Sequence, residues 1–346
     1  MDGVYPLVFE PMFFEKVWGG RALERFGKRL PPGKSIGESW EVADLASTSV
    51  SGAGGGAARS IVSNGALRGR TLHEVIGLWG EALISRSGLT DEGGFPLLIK
   101  YLDARENLSV QVHPSPAYAA GRPGAHLKTE SWYILDAEPG ALLYKGVKRG
   151  VTRESFARKV ADGNVVEDLI EVAAVPGTVH DLPSGTVHAL GAGVVVAEVQ
   201  TPSDTTFRVF DWGRAGRELH IGPALECIDF GPAPRGRRIV GGGGSARARL
   251  SETAFYTIDE ISLSCEERAI GGGADQRAGG TGGSCVVLMV ISGTGSVSPR
   301  AGGESGFEEV MVRAGTTVLV PAAIAPAAAL RMGPGGRVLC VGLAGR

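Results

Sequence analysis

Apolar and polar residues alternate over short stretches along most of this chain, the period-two signature of strands with one buried face. Leu7-Val-Phe-Glu-Pro11 and Glu38-Ser-Trp-Glu-Val-Ala-Asp44 open the series, followed by strands within Pro96–Pro114 and two more in 126–145. Thr178–Val199 continues it, broken by Pro183-Ser-Gly185 and Gly191-Ala-Gly193, and Phe207–Asp211 adds a short strand. Beyond 246 the pattern predicts strands at Val286–Ile291, Val310–Arg313, Thr317–Val320 and Val338–Val341. Helical spacing is confined to a few places. Leu72, Val75, Ile76, Trp79 and Leu83 recur at three and four, predicting a helix over Thr71–Ser85 with a Thr71/Glu74 capping box. Thr152–Lys159 and Asn164–Val172 read as short helices, the second with an Asn164/Glu167 start signal. Ser51–Ala58 reads as a Gly/Ala/Ser loop. The expected fold class is mainly β with a small helical insertion.

Gly231-Pro-Ala-Pro-Arg235 and Gly241-Gly-Gly-Gly244 interrupt the pattern and predict a linker over 231–245. Residues 1–230 and 246–346 then form two β units. A weak repeat joins them: Gly315-x5-Pro321 copies the spacing of Gly177-x5-Pro183, with Ala323 in place of Gly185 and Pro326 where His188 would stand. In a chain with 54 glycines, against roughly 7% in ordinary proteins, that spacing can also arise by chance.

A chain of 346 residues with 43% hydrophobic content can bury sizeable cores. A net charge of -2 gives no field of either sign, so neither nucleic acid nor a membrane surface is an expected partner. Cys227, Cys265, Cys285 and Cys340 form no C-x-x-C pair and read as small apolar residues in a reducing compartment. The N-terminus has no apolar signal core, and no apolar run reaches about 18 residues. A soluble, cytoplasmic protein, monomeric or homodimeric, is expected.

The candidate chemistry lies in two stretches. Strand alternation puts Ser109, Gln111 and His113 on one face, and Lys128 with Glu130 on another. Gly177-x5-Pro183-x-Gly185-x2-His188 builds a tight turn that presents a histidine at a strand start. Gln111, His113, Glu130 and His188 together make a nitrogen and oxygen donor set that suits one divalent metal with an open position. A polar face meeting solvent would explain the alternation, but not this concentration of ligand types. His73, His126, His180 and His220 fall outside the pattern and read as structural or exposed.

Gly177 to His188 resembles the second motif of the cupin superfamily, the double-stranded β-helix or jelly-roll barrels. More narrowly, the chain resembles type I phosphomannose isomerases of the short bacterial branch. The resemblance rests on Trp18-Gly-Gly20, Gly37-Glu-Ser-Trp-Glu41, Pro96-Leu-Leu-Ile-Lys100, Leu108-Ser-Val-Gln-Val-His-Pro114, Lys128-Thr-Glu-Ser-Trp-Tyr133, Gly185-Thr-Val-His-Ala-Leu190 and Asp204-Thr-Thr-Phe-Arg-Val-Phe-Asp-Trp212. It covers most of residues 5–225 and is weak over 231–346. It also departs from the family at His180 and Asp181, where aromatic or aliphatic residues are usual. It implies two cupin-type barrels, a catalytic one within 1–230 and a degenerate one over 246–346 without metal ligands.

The resemblance implies interconversion of mannose 6-phosphate and fructose 6-phosphate, with one zinc ion per chain on Gln111, His113, Glu130 and His188. Arg208 would be the active-site arginine; without the resemblance, a surface ion pair would be its reading. Aldose–ketose isomerisation needs a base for a carbon-bound proton, and Glu198 and Asp204 are the candidates, each equally able to be an ion-pair partner. Ser109 and Lys128 suit the phosphate, with Lys100 and Arg214 weaker candidates. Zinc, manganese, cobalt and iron all tolerate such ligands. The alternatives are a non-catalytic cupin that senses a sugar phosphate and an iron-dependent cupin oxygenase. Retention of every ligand and of Arg208 favours the isomerase.

Overall fold

The computed structural model describes residues 3–84, 88–122, 124–234, 236–238, 246–263, 267–270, 284–300 and 306–344. Arg235 and residues 239–245 of the expected linker, Ser85 and Cys265 lie outside them. Strands make up 41% of the described residues and helices 15%, so the molecule is mainly β.

Four antiparallel sheets carry the architecture. One seven-stranded sheet runs in the order Arg237–Arg238, Thr178–Leu182, Glu130–Ala137, Val194–Gln200, Leu98–Ala104, Ile36–Val42, Met12–Gly20. A five-stranded sheet has the order Leu169–Ala173, Leu142–Val147, His188–Leu190, Val110–Val112, Phe207–Phe210. A second seven-stranded sheet runs Ala246–Glu252, Tyr256–Leu263, Gly336–Leu343, Val286–Ser292, Thr317–Val320, Leu7–Glu10, Ile61–Val62. Its smaller companion has four strands: Glu267–Ala269, Ala328–Met332, Thr294–Pro299, Val310–Arg313.

Alternation along the strands explains how these layers stack. Ile99, Tyr101, Tyr133, Val195, Ala197 and Val199 point away from the five-stranded sheet. They share one core with Tyr256, Ile258, Val287, Met289, Leu319 and Val341 of the second large sheet. The residues between them point the other way. Leu102, Trp132, Ile134, Val194 and Val196 pack with Leu108, Leu143 and Leu190 of the five-stranded sheet. Val286, Leu288 and Val290 likewise pack with Val297, Val312 and Leu330 of the four-stranded one. Both large sheets are therefore buried on two faces, which suits their runs of Val, Ile and Leu.

The same strand order recurs in the two halves. Thr178–Leu182, Glu130–Ala137, Val194–Gln200, Leu98–Ala104 and Ile36–Val42 correspond in turn to Thr317–Val320, Val286–Ser292, Gly336–Leu343, Tyr256–Leu263 and Ala246–Glu252. The Gly-x5-Pro spacing sits at equivalent turns. Gly177 and Gly315 have φ of +84° and +83°, a region open to glycine. Their amides donate to the carbonyls of Ile134 and Val290, each at 2.9 Å.

Strand pairing crosses the boundary expected near 230. Leu7–Glu10, read from the sequence as part of the first unit, pairs with the second half through Leu7↔Leu319 and Val8↔Val318. Three local expectations also change. The helix expected over Thr71–Ser85 is an α-helix only at Leu72–Trp79, where Thr71 and Glu74 do form the capping box, and a 3-10 turn follows at Gly80–Ala82. Asn164–Val172 divides into a 3-10 turn, Val165–Asp168, and a strand, Leu169–Ala173, because the β-branched end pairs with Leu142–Val147. The loop Ser51–Ala58 contains the end of a short helix, Val50–Ala53, capped by the Ser49 side chain.

Candidate active site

Two rows of side chains face each other between the five-stranded sheet and its large neighbour. On the first, Gln111 is the direct cross-strand partner of both His188 and Arg208, so three residues far apart in sequence stand abreast. On the second, Glu198 is flanked by Trp132 and Lys100, and Lys100 in turn by Trp40. Glu130 begins its strand two residues before Trp132, opposite Gln200, and His113 follows directly after Val110–Val112.

His113, Glu130 and His188 are buried and offer ligand atoms all within 4.8 Å of one another. Nδ1 of His113 lies 2.9 Å from the Thr205 carbonyl, and Nδ1 of His188 lies 2.8 Å from the Thr186 carbonyl. A carbonyl only accepts, so each Nδ1 carries the proton and each Nε2 turns a lone pair toward the centre. Glu130 Oε2 is 3.3 Å from His113 Nε2, and Oε1 is 3.1 Å from His188 Nε2. Those contacts bring lone pair against lone pair, and both carboxylate oxygens of Glu130 are buried without a hydrogen bond. Such convergence of acceptors calls for a cation. Gln111 adds its amide 3.2 Å from His188 Nε2.

Lys128 reaches the same centre, with Nζ 3.2 Å from His113 Nε2 and 3.2 Å from Glu130 Oε2. Burial and the Lys128 charge push the His113 imidazole down to about 3, so it stays neutral and ligand-ready. Burial works to raise the Glu130 carboxyl, but the Lys128 charge holds it well below the usual range.

Above this centre opens a cleft whose wall includes Ser109, Gln111, Lys128, Glu198, Asp204 and Arg208. His113, Glu130 and His188 lie behind that wall. Glu198 is pushed up by burial, against the pull of Lys100; its Oε1 sits 2.9 Å from Lys100 Nζ and its Oε2 accepts from Trp132 Nε1 at 2.8 Å. Asp204 is committed elsewhere: Oδ2 accepts from the Ser49 amide at 2.7 Å and from its hydroxyl at 2.9 Å. Arg208 is buried and makes no ion pair with a carboxylate among the described residues. Its Nη1 donates to the Glu218 carbonyl at 2.6 Å, and its Nε has no partner. Burial and the neighbouring Arg217 depress its affinity for a proton. Arg214, by contrast, is spent on Asp211 and the Asn107 carbonyl, each at 2.8 Å.

Sequence reasoning gave Lys100 little weight and passed over Lys16, Glu38, Trp40 and Trp132, all of which line the cleft. Alternation in Gly37-Glu-Ser-Trp-Glu41 does put Glu38 and Trp40 on one face, which was the available signal. Three of the other histidines keep structural posts and His126 is exposed: His73 Nδ1 lies 3.2 Å from Asp44, His180 Nε2 lies 3.1 Å from the Thr178 hydroxyl, and His220 Nδ1 accepts from the Arg208 amide at 3.3 Å.

Comparison with known proteins gives a consistent result. The family model for the phosphomannose isomerase type I catalytic domain matches residues 7–143. Mannose-6-phosphate isomerase ManA of Bacillus subtilis (strain 168) is 38% identical over 235 residues, 66% of this chain and 70% of that protein. A crystal structure of the mannose 6-phosphate isomerase from Bacillus subtilis superposes with a TM-score of 0.74 at 26% identity, covering 97% of this chain and 99% of the other. Another mannose 6-phosphate isomerase, solved bound with zinc and yttrium, has a TM-score of 0.71 at 17% identity, covering 98% and 99%, and shares the fold.

Proposed function

From the membership of this chain in the type I phosphomannose isomerase family, a family of aldose–ketose isomerases, we propose that it interconverts mannose 6-phosphate and fructose 6-phosphate in the cleft above His113, Glu130 and His188. The carrying observation is the convergence of two imidazole lone pairs and a buried carboxylate with no hydrogen bonds of its own. That donor set fits one zinc ion, with Gln111 as the fourth ligand. Held there, a divalent metal supplies Lewis acidity toward the sugar's carbonyl and hydroxyl oxygens.

The chain's own residues do the rest. Glu198 is the better-supported base for moving a proton between C1 and C2. Burial raises its carboxyl above the ordinary carboxylate value, Trp132 fixes its orientation, and Lys100 pairs with its other oxygen. Asp204, with one oxygen tied to Ser49, is the weaker candidate and supports the wall of the cleft. Arg208, already cationic and lacking a carboxylate, suits the oxyanion that develops as the enediolate forms. Ser109 serves the phosphate by its hydroxyl, and Lys128, whose ammonium stands beside His113 and Glu130, adds its positive charge to the same cleft wall. The described cysteines, Cys227, Cys285 and Cys340, are free and buried, which fits a reducing compartment and a cytoplasmic enzyme.

The test is a coupled assay on mannose 6-phosphate with purified protein, after chelation and again after zinc is restored. Turnover should disappear and return. Absence of turnover in both states overturns the reading.

A further inference from the structure

Asp181, one of two departures from the family resemblance, occupies a position that the catalytic reading leaves unused. Along Thr178–Leu182, Leu182 packs on the site side with Trp132, whereas Val179 packs into the core shared by the two large sheets. Alternation therefore turns Asp181 toward the second half of the molecule. There its Oδ1 accepts two hydroxyls, from Ser131 at 2.7 Å and from Ser251 at 2.6 Å. With its own proton given to Asp181, Ser131 accepts from the Tyr256 hydroxyl at 3.0 Å. Burial holds the Tyr256 phenol well above its ordinary value, so it remains a donor. Ser131, Ser251 and Tyr256 are fully buried. Ser251 and Tyr256 belong to the C-terminal strands Ala246–Glu252 and Tyr256–Leu263, while Ser131 and Asp181 belong to the half that carries the cleft.

The register ties this seam to the metal centre. Asp181 is the cross-strand partner of Ser131, and the next pair is Leu182 with Glu130. Ser131 and Glu130 are neighbours on opposite faces of one strand. Apart from the Lys128 ammonium 3.2 Å from Oε2, the Glu130 carboxylate has no hydrogen-bond donor to aim it, so the roll of that strand helps set its direction. We propose that Asp181 is a positioning residue: through Ser131 and Ser251 it uses the C-terminal half as a clamp that sets the aim of Glu130. The C-terminal half, which contains no histidine, would thus act on the reaction without touching substrate. This inference rests on the reading of Glu130 as a metal ligand.

The test measures zinc affinity by competition with a chromophoric chelator, and kcat and KM separately, in Asp181→Asn, Ser251→Ala and the double variant. Groups hydrogen-bonded directly to a metal ligand typically change metal affinity by about 10–100-fold, and Asp181, which acts through the neighbour of Glu130, is expected at the low end, about tenfold. Zinc affinity should fall by about that factor in either single variant, with KM for the sugar phosphate nearly unchanged. The double variant should be little worse than Asp181→Asn, because both act through one contact. Tyr133→Phe is the control: it deletes the Tyr133–Glu260 hydrogen bond of 3.2 Å across the same boundary without touching Asp181, and should leave zinc affinity intact. Should Asp181→Asn not fold, Ser251→Ala carries the measurement. Wild-type zinc affinity in Ser251→Ala, or an equal loss in Tyr133→Phe, overturns the clamp. A wild-type protein that binds no zinc at all removes the metal reading itself, a different failure.

Discussion

Which nitrogen of each histidine carries the proton decides what the centre can bind. Backbone carbonyls of Thr205 and Thr186 fix that choice for His113 and His188, so the ligand face is set before any ion arrives. Replacing His188 by Ala removes one lone pair and should abolish stoichiometric zinc retention after dialysis, as read by atomic absorption. Arg208→Ala should behave oppositely. It leaves all four proposed ligands in place, so zinc stays bound while kcat falls by about 10²–10³, the loss typical of an oxyanion-stabilising group. Wild-type kcat in that variant would remove the role given to Arg208.

Glu38 makes a pH prediction at the same scale. Burial opposes its charge, but Lys100 and Lys16 outweigh it and bring the carboxyl from 4.5 to about 2. A native value below the unfolded one contributes stability that is complete above 4.5 and disappears as pH falls through about 2. The full effect is on the order of 3 kcal/mol. Denaturant titrations of Glu38→Gln should show a shallower decline of stability across that acid window than the wild type. A parallel decline would rule the contribution out.

Elements with strong local signals were legible in the sequence; those shaped by distant partners were not. The strands Val310–Arg313 and Thr317–Val320 fall where alternation predicts them. The Thr71/Glu74 box likewise starts its helix as the spacing requires, with the Thr71 hydroxyl 3.2 Å from the Glu74 amide. Thr71→Ala should cost about 1 kcal/mol in chemical denaturation without changing turnover. Asn164–Val172 misled because its capping signal is local, whereas the pairing that turns Leu169–Ala173 into a strand comes from Leu142–Val147. At the site, period two gave the faces of Gln111, His113 and Glu130. It could not give the register that sets Gln111 between His188 and Arg208, nor the meeting of Glu198 with Lys100, because register belongs to the assembled sheets.

As a whole, the molecule is less divisible than its internal recurrence suggests. Besides the strand pairing of Leu7–Glu10, the loop after the first 3-10 turn, Ala22–Phe26, meets the turn at Gly315 closely. A Cβ on Gly27 would run into the Ala314 carbonyl, and one on Gly315 into the Phe26 carbonyl. The Lys28 ammonium donates to the Gly315 carbonyl at 2.5 Å. Gly315→Ala combines that clash with a positive φ and should lower stability by about 2 kcal/mol or more, seen as a drop in Tm. For the same reason a fragment ending at residue 230 should not reach a cooperative, zinc-binding fold; a sharp thermal transition with bound zinc would contradict this.

The pairing of Leu7 with Leu319 also orders events in time. This segment leaves the ribosome well before Thr317–Val320, so it can meet its nearer neighbour Ile61–Val62 first, while its other edge must wait until Thr317–Val320 has been made. Throughout translation it presents an unsatisfied row of amides and carbonyls, the feature by which strands recruit strangers. Closure of the sheet is thus a long-range step, and the nascent chain is most vulnerable to misassociation before Thr317–Val320 emerges.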